Sequence, residues 1–295
     1  MLKRVRVINT DKTETVLDLK RPMDSGLAIK SITGLGPPLG TVNTTALASG
    51  LGEIFNSALV SKRNILFSFK FMDVPSVETI RQSTYRLFPV RSFVELVFET
   101  TNRTLWTRGV VESNTPDIFS RDSGCTISVV CPDPFFYAWG DGSNQVTKFN
   151  GVDPLFEFPF SNESTTQKLL EFGDVYQFDE KTIMYMGDSE TGMLISIQMD
   201  GTVKGLKLHN RDTNQFIGLD YVFQDGDQVL ISTIKGNKKV TLLRAGVTHN
   251  ILGFLSVGST WLSLIPGGNT FAFTTLEGQE NVSISLENTL VYEGV

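Results

Sequence analysis

Apolar residues recur at alternate positions in short runs along most of the chain. In Asn64–Met72, the residues Ile65, Phe67, Phe69 and Phe71 fall on one face, which predicts a strand with one buried side. Val5–Ile8, Thr15–Leu19, Leu27–Ile32, Phe93–Glu99, Leu105–Glu112 and Cys125–Cys131 are short and apolar-rich and read as strands too. One stretch has a different period. Val77, Ile80, Thr84, Leu87 and Phe88 recur at helical spacing, with Pro75 suited to a first turn and Pro89 stopping the run. A helix over 77–88 is therefore expected to lay one stripe on a sheet and to expose Arg81 and Gln82.

From residue 143 onward no helix is expected. Gly192–Met199 and Val203–His209 flank Asp200-Gly201, a dipeptide that favours a tight hairpin. Val229–Ile234 and Lys239–Leu243 flank Gly236-Asn237 in the same way, and Asp225-Gly-Asp227 reads as a further hairpin turn. Regular short strands without helices predict an all-β sandwich. The fold class is thus mainly β, with an N-terminal β domain carrying one helix over 1–142 and a β-sandwich over 143–295.

Charge sharpens that boundary. The 295 residues carry a net −6, but residues 1–142 hold 16 Lys+Arg against 14 Asp+Glu, and residues 143–295 hold 10 against 18. Neither half is basic enough to hold nucleic acid by neutralising phosphates. Polar residues follow Met1-Leu2-Lys3-Arg4 where a secretion signal needs an apolar run, and stretches such as Ile251–Val257 are far too short to span a membrane. The expected setting is a cytoplasm, where the protein is made and either stays or leaves by lysis rather than secretion.

Candidate chemistry is sparse. The two cysteines, Cys125 and Cys131, lie on one strand about 20 Å apart, too far for a bridge, and read as small core residues. Only His209 and His249 could serve a Ser/His/Asp or Cys/His catalyst, and neither lies in a nucleophile motif. Alternation places His209 on a solvent face. No cluster has zinc or calcium spacing, so no metal, cofactor or catalytic residue is expected. Gly34-Leu-Gly36-Pro37-Pro38 looks superficially like a phosphate loop, but the two prolines remove donors and the Lys-Ser/Thr pair is missing. His209, Arg211 and Trp261 could supply polar and stacking contacts to a glycan.

The most unusual segment is Cys131-Pro132-Asp133-Pro134-Phe135-Phe136-Tyr137-Ala-Trp139. Its prolines end the strand and send the chain out extended. The aromatics that follow either plug the base of a domain or anchor a contact between subunits, where aromatics are enriched.

This segment resembles the signature of the distal tail protein family of siphophages. Gly34-Leu-Gly36-Pro37-Pro38 resembles that family's N-terminal Gly-Pro loop, and Gly50-Leu-Gly52-Glu-Ile-Phe55 with Arg63-Asn64-Ile65 resembles the approach to its next strand. Leu262–Asn269 and Tyr292-Glu293-Gly294 are similar to its closing segments. The resemblance implies a structural virion protein at the distal end of the tail, assembled in the host cytoplasm, with no catalysis. It implies a homohexameric ring formed by the N-terminal domain, between the tail tube protein and the tail-tip protein. DNA would pass through the lumen without specific binding and without membrane insertion. The C-terminal domain would be a galectin-like sandwich that docks receptor-binding or accessory baseplate proteins. Residues from about 283 to 295 could return to the N-terminal domain. Two other classes stay open: a carbohydrate-binding module for a host cell-wall glycan, using His209, Arg211 and Trp261, and a tail-associated hydrolase.

Overall fold

The computed structural model describes residues 1–48, 50–74, 76–117, 119, 123–140, 143–153, 174–177 and 180–295. The chain divides into two compact units, Met1–Ser143 with Val291–Val295, and Asn144–Leu290.

In the first unit the strands are β1 (Leu2–Asn9), β2 (Glu14–Asp18), β3 (Leu27–Thr33), β4 (Gly40–Ala46), β5 (Glu53–Val60), β6 (Arg63–Phe71), β7 (Phe93–Thr100), β8 (Thr104–Asp117), β9 (Gly124–Cys131) and β10 (Phe136–Ala138). An antiparallel sheet runs in the order β2-β1-β7-β8-β9-β6-β3, and β10 joins β8 at its side. Val291–Tyr292 completes this sheet by pairing with β10, through Phe136–Tyr292 and Tyr137–Val291. The alternation read from the sequence is the alternation that is buried: Ile65, Phe67, Phe69 and Phe71 line the core with Phe98, Val111, Ile127 and Val129.

Helix α1 is a single turn, Pro22–Ser25, and α2 spans Val77–Leu87. Ile80, Thr84, Leu87 and the following Phe88 are buried, and the Phe88 ring centroid lies 5.9 Å from that of Phe67 and 6.0 Å from that of Phe69. The start of α2 is set by Ser76, whose hydroxyl accepts from the Thr79 N–H at 3.2 Å. Pro75 lies outside the described residues. Gln82 is exposed as expected, whereas Arg81 is half-buried, held by Glu78 and by the Tyr85 hydroxyl at 3.3 Å.

Strands β4 and β5 form a separate two-stranded arm. A bulge between Asn43 and Thr44 shifts the register, so that Val42–Ala58 is followed by Thr44–Phe55. The shift keeps Phe55 on the face of Val42, Ala58 and Val60 instead of turning it over.

The second unit contains β11 (Asn144–Lys148), β12 (Asn150–Asp153), β13 (Asp174–Gln177), β14 (Glu180–Tyr185), β15 (Leu194–Met199), β16 (Val203–Asn210), β17 (Gln215–Phe223), β18 (Gln228–Ser232), β19 (Lys239–Arg244), β20 (Val247–Asn250), β21 (Gly267–Glu277) and β22 (Val282–Thr289). One sheet is ordered β11-β22-β15-β18-β19-β20 and the other β14-β21-β16-β17, while β12 pairs with β13. Ile195, Ile197, Val229, Ile231, Val240 and Ile284 of the first sheet share one core with Leu206, Leu208, Ile217, Leu219, Phe271 and Phe273 of the second. This is a β-sandwich.

Two expected hairpins are corrected here. Asp200-Gly201 does not fold β15 onto β16, because β15 pairs with β18 and β22 and β16 pairs with β17 and β21. The turn instead carries the chain from one sheet to the other. Asp225-Gly-Asp227 does the same between β17 and β18. The turn around Gly236-Asn237 does join a hairpin, β18 to β19, with Ser232 opposite Lys239.

Candidate assembly site around Arg63

Arg63 opens β6 and is 4% exposed. A buried guanidinium must place its donors, and this one places them on the main chain. Nε donates to the Pro134 carbonyl at 2.5 Å, Nη1 to the carbonyls of Gly34 (2.6 Å) and Gly36, and Nη2 to the Glu293 carbonyl at 2.7 Å. The guanidinium carbon sits 4.3 Å from the centroid of the Phe136 ring, a cation–π contact. Burial pushes the pKa of the group down from its ordinary value, and an arginine remains charged all the same. The flat fork reaches three separate segments at once, which an ammonium on a single stem does not.

Each segment is shaped to meet it. Gly34 has φ +84°, and a Cβ there would stand 2.1 Å from the Asn64 carbonyl oxygen, so only glycine lets the loop close on β6. Gly36, Pro37 and Pro38 continue this loop at the surface. The Asp133 carboxylate accepts from the Phe135 N–H at 3.2 Å and from the Tyr137 hydroxyl, which fixes the exit from β9. Pro132 is exposed and Phe135 half-buried. Phe136 is fully buried, edge-on to Phe98 at 5.7 Å, and Tyr137 packs beside Trp106 at 5.7 Å. The last residues close the circle. The Val295 N–H donates to the Leu35 carbonyl at 3.0 Å, while Arg103 donates to the Gly294 carbonyl at 3.1 Å and lies 4.5 Å from the Tyr292 ring centroid.

The Gly-Pro loop, the segment after Cys131 and the closing Tyr-Glu-Gly thus converge on one residue. In the sequence Arg63 stands out only as part of the Arg63-Asn64-Ile65 motif. The signal that marks it is parity: Arg63 lies in step with Ile65, Phe67 and Phe69 on the buried face. Cys125 and Cys131 are free, buried thiols, and burial pushes them up to about 12 and about 11. Such thiols are packing residues, not nucleophiles.

The glycan candidates divide. His209 is half-buried on the outer face of β16 with its ring centroid 5.5 Å from that of Phe216. Burial first, then the charges of Lys207 and Arg211, hold its imidazole below the ordinary histidine pKa. His209 and Arg211 line a hollow of about 320 Å³ with Asn214, Gln215 and Phe216, but Arg211 is engaged by Glu180 at 2.9 Å. Trp261 does not join that hollow. It packs on the sandwich core, with the Lys238 ammonium 5.4 Å from its ring centroid. Among the described residues no group of three or more His, Cys, Asp or Glu is placed to hold a metal, and no helix is long and apolar enough to cross a membrane.

The arm is the largest departure from ordinary burial. Leu39 is 82% exposed, Leu51 81%, Phe55 63% and Leu59 62%, and Val42, Ile54 and Val60 are also exposed. A lone two-stranded ribbon is marginal in water.

Fold and site together define a class: a two-unit, mainly β protein whose marked motifs clamp loops and strand ends. Residues 186–289 match the family model described as the siphovirus-type tail component, C-terminal domain. The crystal structure of SPP1 Dit, described as a paradigm of the hub adsorption apparatus in phages infecting Gram-positive bacteria, shares the fold. Its TM-score is 0.63 at 13% identity, over 96% of this chain and 98% of that one. Structures of the phage P2 baseplate in its activated conformation, with Ca and with Sr, match at TM-scores of 0.43 and 0.41. Their identities are 12% and 11%, over 98% and 97% of this chain and 99% and 98% of those chains. No curated protein matches the chain. The resemblance to siphophage distal tail proteins, read from the residues, holds, and so does the mainly β fold.

Proposed function

We propose that this chain is a structural hub protein at the distal end of a siphophage tail. It forms a homohexameric ring through its first unit, joining the tail tube protein to the tail-tip protein. Its sandwich serves receptor-binding or accessory baseplate proteins during host attachment, and DNA passes through the lumen. It works without catalysis, in the virion after assembly in the host cytoplasm.

The observation that carries this reading is the arm. Its apolar residues lie exposed on both faces of β4 and β5, and a second chain that covers them removes that area from water. A ring needs two different faces on each subunit, and an arm that reaches onto a neighbour supplies one of them. The Arg63 clasp supports the same reading, since it fixes the base from which the arm departs. The family match at residues 186–289 supports the tail setting.

The test is negative-stain microscopy with light scattering. Six chains of 32.7 kDa make a particle of about 196 kDa, expected as six-fold rings with an open centre. Phe55→Ser with Leu59→Ser is expected to leave the melting temperature unchanged and abolish the rings. A protein that stays monomeric at all concentrations, also with the tail tube protein present, would overturn the reading.

A further inference from the structure

The outer face of the six-stranded sheet of the second unit is hollowed into a trough of about 660 Å³, apart from the arm, the Arg63 site and the His209 hollow. Its floor is read from the register. Lys148 on β11 stands opposite Ser285 on β22, Ser285 opposite Ser196 on β15, Ser196 opposite Leu230 on β18, and Leu230 opposite Thr241 on β19. The next row places Ser283 opposite Gln198, and Gln198 opposite Gln228. Lys239 borders the trough from β19.

Three features of this surface select a ligand. First, among the described residues its charged lining side chains are Lys148 and Lys239, both exposed, with no carboxylate in the lining itself and Asp200 beside it held by the Gln198 amide at 3.2 Å, although residues 143–295 carry 18 acids against 10 bases. Lys235 lies in the turn that leads to Lys239, so this end of the sheet carries basic residues on an acidic unit. Second, β11 and β19 are four strand spacings apart, about 20 Å, so no single small anion meets both lysines. A ligand that does so is a chain lying across the strands. Third, β22, β15, β18 and β19 are each paired on both sides, so their ladders offer no free edge to an added peptide strand. The floor offers hydroxyls and amides instead, which suit a polyol. Two lysines, with no aromatic side chain among the described lining residues, are too little to hold a nucleic acid.

We infer that this trough binds an anionic polysaccharide, laid across the strands between Lys148 and Lys239 and hydrogen-bonded by Ser196, Gln228 and Ser285.

The test measures binding of the full chain to dextran sulfate and to uncharged dextran. Dextran sulfate is expected to bind and uncharged dextran not to. Lys148→Gln with Lys239→Gln is expected to weaken binding about five- to ten-fold, the effect of two exposed ion pairs. Lys3→Gln with Lys20→Gln, which removes the same charge from the first unit, should leave it unchanged. Ser196→Tyr, which keeps both lysines and fills the floor, should weaken binding as well, separating a shaped site from diffuse charge. Circular dichroism spectra of all variants are expected to match the parent. Equal weakening by both lysine pairs, no effect of Ser196→Tyr, or binding of uncharged dextran, poly-glutamate or double-stranded DNA as tight as that of dextran sulfate would overturn the proposal.

Discussion

At the scale of residues, two buried charges solve the same problem differently. Arg63 has main-chain carbonyls around it, so its removal takes the donor from several part-buried acceptors at once and leaves a gap beside Phe136. Arg63→Ala is expected to lower stability by about 3 kcal/mol or more. Arg63→Lys should fall in between, because it keeps the charge but not the planar fork. Urea midpoints of the two variants check the order, and an Arg63→Lys protein as stable as the parent would refute the clasp. Asp227, 1% exposed, has a cation instead: Arg244 Nε donates to one carboxylate oxygen at 2.8 Å, and the Gln224 N–H donates to the other at 2.8 Å. The hydrogen bonds from Arg244 hold the carboxyl below its ordinary pKa. A depressed folded pKa contributes stability that is present above the ordinary value, about 4, and is lost as pH falls through the folded one. Asp227→Asn is therefore expected to cost about 2 kcal/mol at pH 7, with a gap that closes below pH 4. A gap of the same size at pH 3 would show that the charge does not matter. Arg63 could be found in the sequence by its parity with the buried face of β6. Its acceptors could not, because carbonyls leave no mark in a residue pattern, and Gly34, Pro134 and Glu293 are remote from one another along the chain.

At the scale of elements, what the sequence discloses depends on what each element buries. Strands β6 and β9 each hide one face, so their alternation was plain, and α2 showed its period through Ile80, Thr84 and Leu87. Strands β4 and β5 keep nearly every residue exposed, so no alternation marked them as strands. In the proposed ring, the arm's apolar pattern answers to the surface of a neighbouring chain. The hairpin errors have another cause. Asp-Gly supplies a tight turn whether the next strand folds back or crosses to the facing sheet. The choice between them is made by distant partners: β15 is flanked by β18 and β22, and β16 by β17 and β21. Turn chemistry is local, whereas pairing is not. The His209 site shows the same limit, since adjacency in sequence brought His209 and Arg211 to one hollow but packing took Trp261 to the core.

At the scale of the whole molecule, the chain leaves its first unit after Ser143 and returns to it at Val291. The returning residues are few but well connected. Val291 is buried and pairs with Tyr137, the Glu293 carbonyl accepts from Arg63 and the Gly294 carbonyl from Arg103, and the Val295 N–H bonds the Leu35 carbonyl. By contrast, the second unit has its own core, with Ile197, Leu208, Phe273 and Ile284 buried in it. The two units should therefore respond differently to being cut apart. A fragment of residues 144–290 is expected to fold alone, with a strand-type circular dichroism spectrum and one cooperative melt. A fragment of residues 1–143 should melt several degrees below the same fragment joined by a short Gly-Ser linker to residues 291–295, since only the joined form satisfies Arg63 and gives β10 its second neighbour. The comparison isolates the returning segment, because both forms carry the arm and the same core. Equal melting temperatures would mean that residues 291–295 rest on the unit without holding it together. In that case Arg63 would need only its acceptors at Gly34, Gly36 and Pro134. A higher melting temperature in the joined form would make the return of the chain a structural requirement of the first unit, because Arg63, which the returning residues help to hold, also fixes the loop that leads into the arm.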